Sequence, residues 1–364
     1  MRVIIAAAGT GGHVNPGIAI ANIIKDKEPN SEILFIGTRR GIENDLVPRA
    51  GYKLEHIEAY GLTKNIIKDI KTCFGFFQAK KIINRFKPDI VIGAGGYICG
   101  PVILAAHTKK IPTVLHESNA FPGKAVKMLA KYTDKIMISF EDARRQIKKS
   151  NRIVLTGTPI KINKEEISPA RRIDIFREHN LKSDKPLILI FGGSQGAKKI
   201  NDAVIEILSK NKKLEYQIIL SAGSKQYDYV MAELGKRYID LSDNIRIYPY
   251  IYNLDELEKI SDIIVCRSGA NTIAEIAMIG KPAIFVPLPN VSNNHQTFNA
   301  KTLEEVGSAE IIKNEELNGE ILNKSILLLL SDKTNLRRMG EMAKTIAISD
   351  TDNRIYKHIK ELIK

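Results

Sequence analysis

Four apolar runs along this chain each end in a glycine-rich turn, and each turn leads into a stretch of helical spacing. Val3–Ala8 precedes Gly9-Thr10-Gly11-Gly12-His13, and Ile90–Ile92 precedes Gly93-Ala94-Gly95-Gly96-Tyr97. In the second half, Leu187–Phe191 runs into Gly192-Gly193-Ser194-Gln195-Gly196, and Ile263–Val265 into Cys266-Arg267-Ser268-Gly269-Ala270. A short run that is apolar throughout reads as a strand covered on both faces. Beyond His13, residues Ile18, Ala19, Ile23 and Ile24 fall on one side of a predicted helix. Further strands are predicted at Ile33–Ile36, Thr113–Leu115, Lys135–Ile138, Gln217–Leu220, Ile245–Ile247 and Ala283–Pro287. Strands that alternate with helices imply parallel βαβ units.

The scheme occurs twice. It pauses near Gly157-Thr158-Pro159-Ile160-Lys161, a charged segment runs from Lys164 to Asp184, and a fresh strand starts at Leu187. We place a domain boundary close to Pro159. A last helical region, about Leu336 to Lys364, is expected to cross back onto the first domain. The expected domains are therefore 1–160 plus about 346–364, and 161–345. The fold class is α/β: two Rossmann-like, doubly wound parallel-sheet domains facing a cleft.

The 364 residues suit two domains, and the 44% hydrophobic content supports a real core. A formal net charge of +14 favours anionic partners: phosphorylated substrates, acidic lipid or nucleic acid. No nucleic-acid module with interleaved basic and aromatic residues is visible, so nucleic acid is not an expected partner. Cys73, Cys99 and Cys266 are scattered and form no CxxC or Cys/His cluster. They suggest neither a disulfide framework nor zinc, and a reducing cytosol fits. The first glycine turn interrupts Met1–Ile5 too early for a signal peptide, and no apolar stretch approaches a bilayer span.

A buried strand, a turn without side chains and a helix N-terminus together aim free N–H groups outward, which suits a phosphate or another oxyanion. The first turn is not GxGxxG, and no acidic residue ends the second strand near Ile36 to take a ribose diol; a redox Rossmann domain is disfavoured. A Walker loop is also missing. Arg267–Glu275 is sharper: Glu275 lies one turn beyond Asn271, where a carboxylate can accept both ribose hydroxyls of a nucleotide whose diphosphate sits at the helix start. His295, Gln296 and Asn299 offer the mixed donors and acceptors that sugar hydroxyls need, or else cap a helix. From Lys64 to Lys81, Ile66, Ile67, Ile70, Phe74 and Phe77 share one face opposite Lys64, Lys68 and Lys71. Core packing is the ordinary reading of such a face; docking on an anionic membrane is the other.

Taken together, GTGGHVNPG (Gly9–Gly17), GAGGYICGP (Gly93–Pro101), HESN (His116–Asn119), GTPIK (Gly157–Lys161), GGSQGAKKIN (Gly192–Asn201), CRSGANTIAE (Cys266–Glu275) and HQTFNA (His295–Ala300) resemble the MurG family over nearly the whole chain. These are the N-acetylglucosaminyltransferases of peptidoglycan synthesis, two-domain glycosyltransferases of GT-B fold. The resemblance implies inverting transfer from UDP-N-acetylglucosamine (UDP-GlcNAc) to the 4-hydroxyl of MurNAc in undecaprenyl-diphosphate-MurNAc-pentapeptide (lipid I), giving lipid II. It implies that Ile251 meets uracil through its backbone and Glu275 the ribose. Ser194 and the Ala270 turn would hold the diphosphate and Gln296 the sugar, with Asn271, Thr272, Ile273 and Ala274 in the same substrate-binding run. Thr10, Gly11, Gly12 and Asn119 would complete the cleft from the other side. The family usually carries GNPVR where this chain has Gly157–Lys161, so Lys161 would supply charge to a phosphate without the arginine fork. Gly93, Gly95, Gly96 and Tyr97 would receive the acceptor's diphosphate.

An alcohol nucleophile calls for a general base. His13 is the first candidate and Glu117 the second. No Asp-x-Asp motif offers a metal site, and no cofactor is expected. A lipid-borne acceptor places the protein peripherally on the cytoplasmic side of the cell membrane, with Ile66, Ile67, Ile70, Phe74 and Phe77 as the membrane contact. Cell-wall synthesis and division proteins are further candidate partners. Two other classes stay open: a UDP-sugar 2-epimerase, which needs no lipid acceptor, and a nucleotide-sensing or RNA-binding protein.

Overall fold

The structure, a computed structural model, describes residues 1–61, 66–147, 150–160, 165–211, 213–289, 291 and 294–363; the side chains of residues 66–71 and 150 lie outside that description. The chain forms two compact units, Met1–Lys161 with Ile348–Lys364, and Ile162–Ala347.

In the first unit the elements run β1 (Arg2–Ala6), α1 (Gly11–Lys27), β2 (Glu32–Gly37), α2 (Glu43–Arg49), β3 (Lys53–His56), α3 (Ile66–Phe86), β4 (Ile90–Gly93), α4 (Cys99–Thr108), β5 (Thr113–Glu117), α5 (Lys124–Leu129), β6 (Lys135–Ile138), α6 (Asp142–Gln146) and β7 (Ile153–Leu155). The strands pair in parallel in the order β3-β2-β1-β4-β5-β6-β7. Alternation along β1 sorts its side chains between two cores. Ile4 and Ala6 join Ala79, Ile82 and Val102 from α3 and α4 on one face. Val3 and Ile5 join Ile20 and Ile24 of α1 on the other. That face also takes Ile355 and Ile359 from the C-terminal helix, Thr351–Lys360. Glu28 ties this helix down by accepting from Tyr356 and Lys360, each at 2.7 Å.

The second unit contains α7 (Pro169–Glu178), β8 (Leu187–Phe191), α8 (Lys198–Lys210), β9 (Gln217–Ser221), α9 (Tyr227–Lys236), β10 (Ile245–Tyr248), α10 (Leu254–Ile260), β11 (Ile263–Cys266), α11 (Ala270–Ile279), β12 (Ala283–Phe285), α12 (His295–Glu305), β13 (Ala309–Ile311), α13 (Gly319–Ser331) and α14 (Lys333–Thr345); the C-terminal helix is α15. Its sheet, again all parallel, has the order β10-β9-β8-β11-β12-β13. Relabelled from its own first strand, that is the 3-2-1-4-5-6 order of a doubly wound nucleotide fold, and the first unit follows the same rule with one strand more. The helical region beginning near Leu336 is two helices: α14 keeps Met339 in the core of the second unit, and α15 packs on the first.

Helix α3 contradicts simple core packing of Phe74 and Phe77, although Phe76 and Phe86 do pack against the core. Ala79, Ile82 and Ile83 are buried, whereas Phe74 and Phe77 are 59% and 64% exposed. The side chains of Ile66, Ile67 and Ile70 lie outside the described residues.

Candidate active site

In a doubly wound sheet the chain moves outward in opposite directions from two neighbouring strands, so the turns at their carboxyl ends diverge and leave a crevice. Here those pairs are β1 with β4, and β8 with β11. All four glycine turns lie at these points.

In the first unit, Gly9 adopts φ +100° and donates its N–H to Glu43 Oε2 at 3.0 Å. Thr10 is extended ahead of α1, and its carbonyl accepts from His13 and Val14 at 3.0 and 3.1 Å. The N–H groups of Gly11 and Gly12 take no partner among the described residues, so the positive end of α1 faces outward. Gly95 and Gly96 both have positive φ, 119° and 83°. The His13 ring lies directly on them: a Cβ at Gly95 would stand 2.4 Å from His13 Cδ2. Tyr97 reaches across to Gly9, where a Cβ would be 3.8 Å from the tyrosine ring. The fold thus joins the first two glycine turns around one imidazole.

Two members of this set do other work. Gly93 is the last residue of β4, paired with Ala6 and with Leu115, and it belongs to the sheet rather than to an anion-binding loop. A Cβ there would lie 2.8 Å from Leu115, which explains the glycine by packing. Gly95 N–H points at the buried Cys99 sulfur, 3.3 Å away, and burial pushes that thiol up to about 12. Gly96 and Tyr97 are left as the outward part of the turn.

Glu117 ends β5 and is buried. Oε1 accepts from the Asn119 backbone N–H at 2.9 Å and its side-chain amide at 3.1 Å, and Oε2 accepts from Gly123 N–H at 2.7 Å. Burial raises its pKa in spite of these bonds. With both oxygens engaged it braces the 119–123 turn, and Asn119 is held through it. The neighbouring His116 is buried and brought down to about 4 by desolvation, so it stays neutral.

In the second unit the turn after β8 exposes Gly193, Ser194 and Gln195. Gly196, at φ +80°, packs backbone to backbone on the next loop: a Cβ would lie 2.1 Å from Ala222 O. Ser224 donates to Ser194 O at 3.2 Å from its N–H. After β11, Gly269 caps α11 in extended conformation and accepts from Ile273 N–H at 3.0 Å. The N–H groups of Ala270, Asn271 and Thr272 therefore form the open end of α11 among the described residues. Ile273 differs from the expectation of ligand contact. Its N–H is taken by Gly269 and its side chain is fully buried in the core. Ala274, the next residue, lies inside the helix rather than at its open end.

Glu275 is half-buried on α11, and burial, then Asp255, raises its pKa. Glu258, buried on α10, is pushed to about 8 by desolvation and by Glu275 and Asp255, and so is neutral near pH 7. Ile251 sits in the β10–α10 connection, flanked in sequence by Tyr250 and Tyr252, whose exposed rings meet edge to face with centroids 4.9 Å apart. Gln296 lies in the first turn of α12; its Oε1 accepts from Leu288 N–H at 2.8 Å and its carbonyl accepts from Ser268 Oγ at 2.8 Å, and its amide NH2 donates to no partner among the described residues. Lys161 falls outside the described residues. Among the described residues no group of three His, Cys, Asp or Glu side chains could hold a metal ion.

Residues 3–138 match the glycosyltransferase family 28 N-terminal domain and residues 187–359 its C-terminal domain. A protein of Acetivibrio thermocellus, named UDP-N-acetylglucosamine--N-acetylmuramyl-(pentapeptide) pyrophosphoryl-undecaprenol N-acetylglucosamine transferase, is 42% identical over 100% of this chain and 99% of its own length. The chain belongs to the MurG branch of glycosyltransferase family 28.

Among solved structures, Acinetobacter baumannii MurG superposes with a TM-score of 0.79 at 29% identity, covering 99% of each chain. The UDP-GlcNAc 2-epimerase of Neisseria meningitidis, at TM-score 0.68 and 14% identity over 99% of this chain and 100% of its own, shares the fold alone.

Sequence reasoning missed two residues that brace the candidate site. Glu43 holds the Gly9 turn, and Arg267 pins the loop after β12 through Val286 O at 2.9 Å, Pro287 O at 3.2 Å and Asn314 at 2.8 Å. Arg267 stands inside a motif that was read for its turn; only its long-range partners reveal the clamp.

Proposed function

We propose that this enzyme transfers N-acetylglucosamine from UDP-GlcNAc to the 4-hydroxyl of MurNAc in undecaprenyl-diphosphate-MurNAc-pentapeptide, with inversion, giving lipid II. The observation that carries it is full-length identity of about two residues in five with enzymes named for that transfer. We assign the donor to the second unit (162–347): Glu275 to the ribose, the start of α11 and Ser194 to the diphosphate, Gln296 NH2 to the sugar, and the Ile251 backbone to uracil. We assign the acceptor to the first unit (1–161 with 348–364), its diphosphate near Gly96 and Tyr97. Thr10, Gly11, Gly12 and Asn119 face the transferred sugar, and Lys161 is proposed as a phosphate contact.

Chemically, the acceptor hydroxyl attacks the anomeric carbon while the bond to the UDP oxygen breaks. His13 accepts the hydroxyl proton, and the N–H dipoles of α11 stabilise the charge developing on the diphosphate. Both oxygens of Glu117 hold a turn, so His13 takes precedence as base. Labelled N-acetylglucosamine should pass from its UDP donor to a short-chain lipid I analogue, undiminished by a chelator. Release of an epimerised sugar from UDP-GlcNAc alone, followed by NMR, would instead favour the epimerase reading.

No helix among the described residues is long and apolar enough to cross a membrane. We propose peripheral docking on the anionic cytoplasmic membrane face through α3, supported by the exposed rings of Phe74 and Phe77. A Phe74→Ser/Phe77→Ser variant should bind anionic vesicles at least several-fold less while keeping its melting temperature. Equal vesicle binding would remove α3 from the membrane contact. Cell-wall synthesis and division proteins stay as proposed partners.

A further inference from the structure

Glu43 is fully buried at the first position of α2, yet its carboxylate reaches back to the turn after β1 and to Thr38, just past the end of β2. Oε2 accepts from Gly9 N–H at 3.0 Å. Oε1 accepts from Thr38 N–H at 3.0 Å and from Thr38 Oγ1 at 2.8 Å. Burial on its own raises a carboxyl's pKa; at Glu43 the bonds from Gly9, from its own backbone N–H and from Thr38 together outweigh it and lower the group from its ordinary value. The surrounding backbone is shaped to this side chain. A Cβ at Gly41 would meet Glu43 Oε2 at 1.9 Å, and one at Gly37 would meet its Cγ at 2.8 Å. In a dinucleotide-binding Rossmann domain, the acid that follows the second strand faces a ribose. Here an acid reaches that part of the fold, but its oxygens are filled by the protein's own donors.

We propose that Glu43 is a positioning residue for the transfer reaction: an internal carboxylate ligand that fixes the Gly9 turn, and with it the start of α1 and the place of His13 over Gly95 and Gly96. The inference rests on the proposed catalytic role of His13. Gly9 N–H is drawn inward to Glu43, so the outward donors of the turn are those of Gly11 and Gly12. The same bond sets where the chain enters α1, two residues before the imidazole-bearing turn begins. Misplacing a reacting group by about 1 Å can lower a rate by about 10²-fold.

Glutamine at 43 keeps the shape but presents an N–H2 to one of two donors, either Gly9 or Thr38. Glu43→Gln should lower kcat by roughly 10- to 100-fold with a smaller effect on the KM for UDP-GlcNAc, because of the proposed donor contacts only those of Thr10, Gly11 and Gly12 with the transferred sugar lie on this turn. It should also move the His13 ring resonances in NMR spectra recorded where near-ultraviolet circular dichroism shows the parent fold; a role confined to stability would leave those resonances in place. Should Glu43→Gln fail to fold, Thr38→Val removes only the hydroxyl donor and should lower kcat about threefold to tenfold with the same NMR shift. A kcat within twofold of the parent and unmoved His13 resonances, in whichever variant folds, would overturn the positioning role. Full activity in His13→Ala would instead overturn the catalytic reading on which it rests.

Discussion

His13→Ala is expected to lower kcat by ~10²–10⁴-fold while changing the donor KM little. The size follows from the chemistry. An unassisted alcohol must lose its proton as the bond to the anomeric carbon forms, and a positioned imidazole removes the cost of a free oxonium in the transition state. The donor contacts proposed on α11, α12 and the β10–α10 loop do not include His13, so uniform donor binding should survive. The ring also fills space over Gly95, where a Cβ would collide with it, and lies in contact range of Gly96. His13→Gln tests whether filling alone suffices: it should keep the fold and remain as inactive as alanine. Turnover within about fivefold of the parent in both variants would remove His13 from the chemistry.

Glu275→Ala should weaken UDP binding by about 10- to 100-fold in calorimetry. Hydrogen bonds to a charged group contribute about 1.5–3 kcal/mol each, and 1.4 kcal/mol is tenfold in affinity. The two ribose hydroxyls share one carboxylate, so their effects should not simply add. A pH signature accompanies the loss. Burial and the Asp255 charge raise the Glu275 pKa, and only its ionised form accepts from both hydroxyls. UDP affinity should therefore fall as pH drops through that raised value, starting at higher pH than for an ordinary carboxyl. The slope should disappear in Glu275→Ala. Glu258 does not oppose binding near neutrality, because desolvation keeps it protonated up to about pH 8. Unchanged UDP affinity in Glu275→Ala would exclude the ribose contact.

The strands that sequence reasoning located are mostly interior ones, apolar on every residue because helices cover both faces of the sheet. Those it left out, Lys53–His56, Ile153–Leu155 and Ala309–Ile311, are all edge strands. Each is short, pairs on one side only, and carries partly exposed or charged positions that blunt the apolar signal. Ala283–Pro287 was read two residues too long, since the run stays apolar after pairing with β13 stops at Phe285. The exposure of Phe74 and Phe77 shows a different shortfall: spacing groups them on one helical face but does not say whether protein or solvent lies beyond it.

Within the site, the residues read from motifs were those whose role is local. Gly11, Gly12, Ala270, Asn271 and Thr272 offer backbone N–H groups at helix starts, and a strand–glycine–helix pattern announces such groups wherever it occurs. Ile273 and Gly93 share those motifs but face the core or the sheet, which a motif does not separate from its open positions. Glu43 and Arg267 escaped because their partners lie far along the chain.

Buried strands, glycine turns and the doubling of the α/β scheme could be read from residue order alone, since each depends on neighbours a few positions away. Strand order could not. Placing β1 against β4 and β8 against β11 gathers the four turns into two crevices, sets the His13 ring on Gly95 and Gly96, and closes Glu43 on Gly9. Those contacts follow from which strands hydrogen-bond side by side, a choice made by the packing of both sheet faces at once and written in no single stretch of the chain.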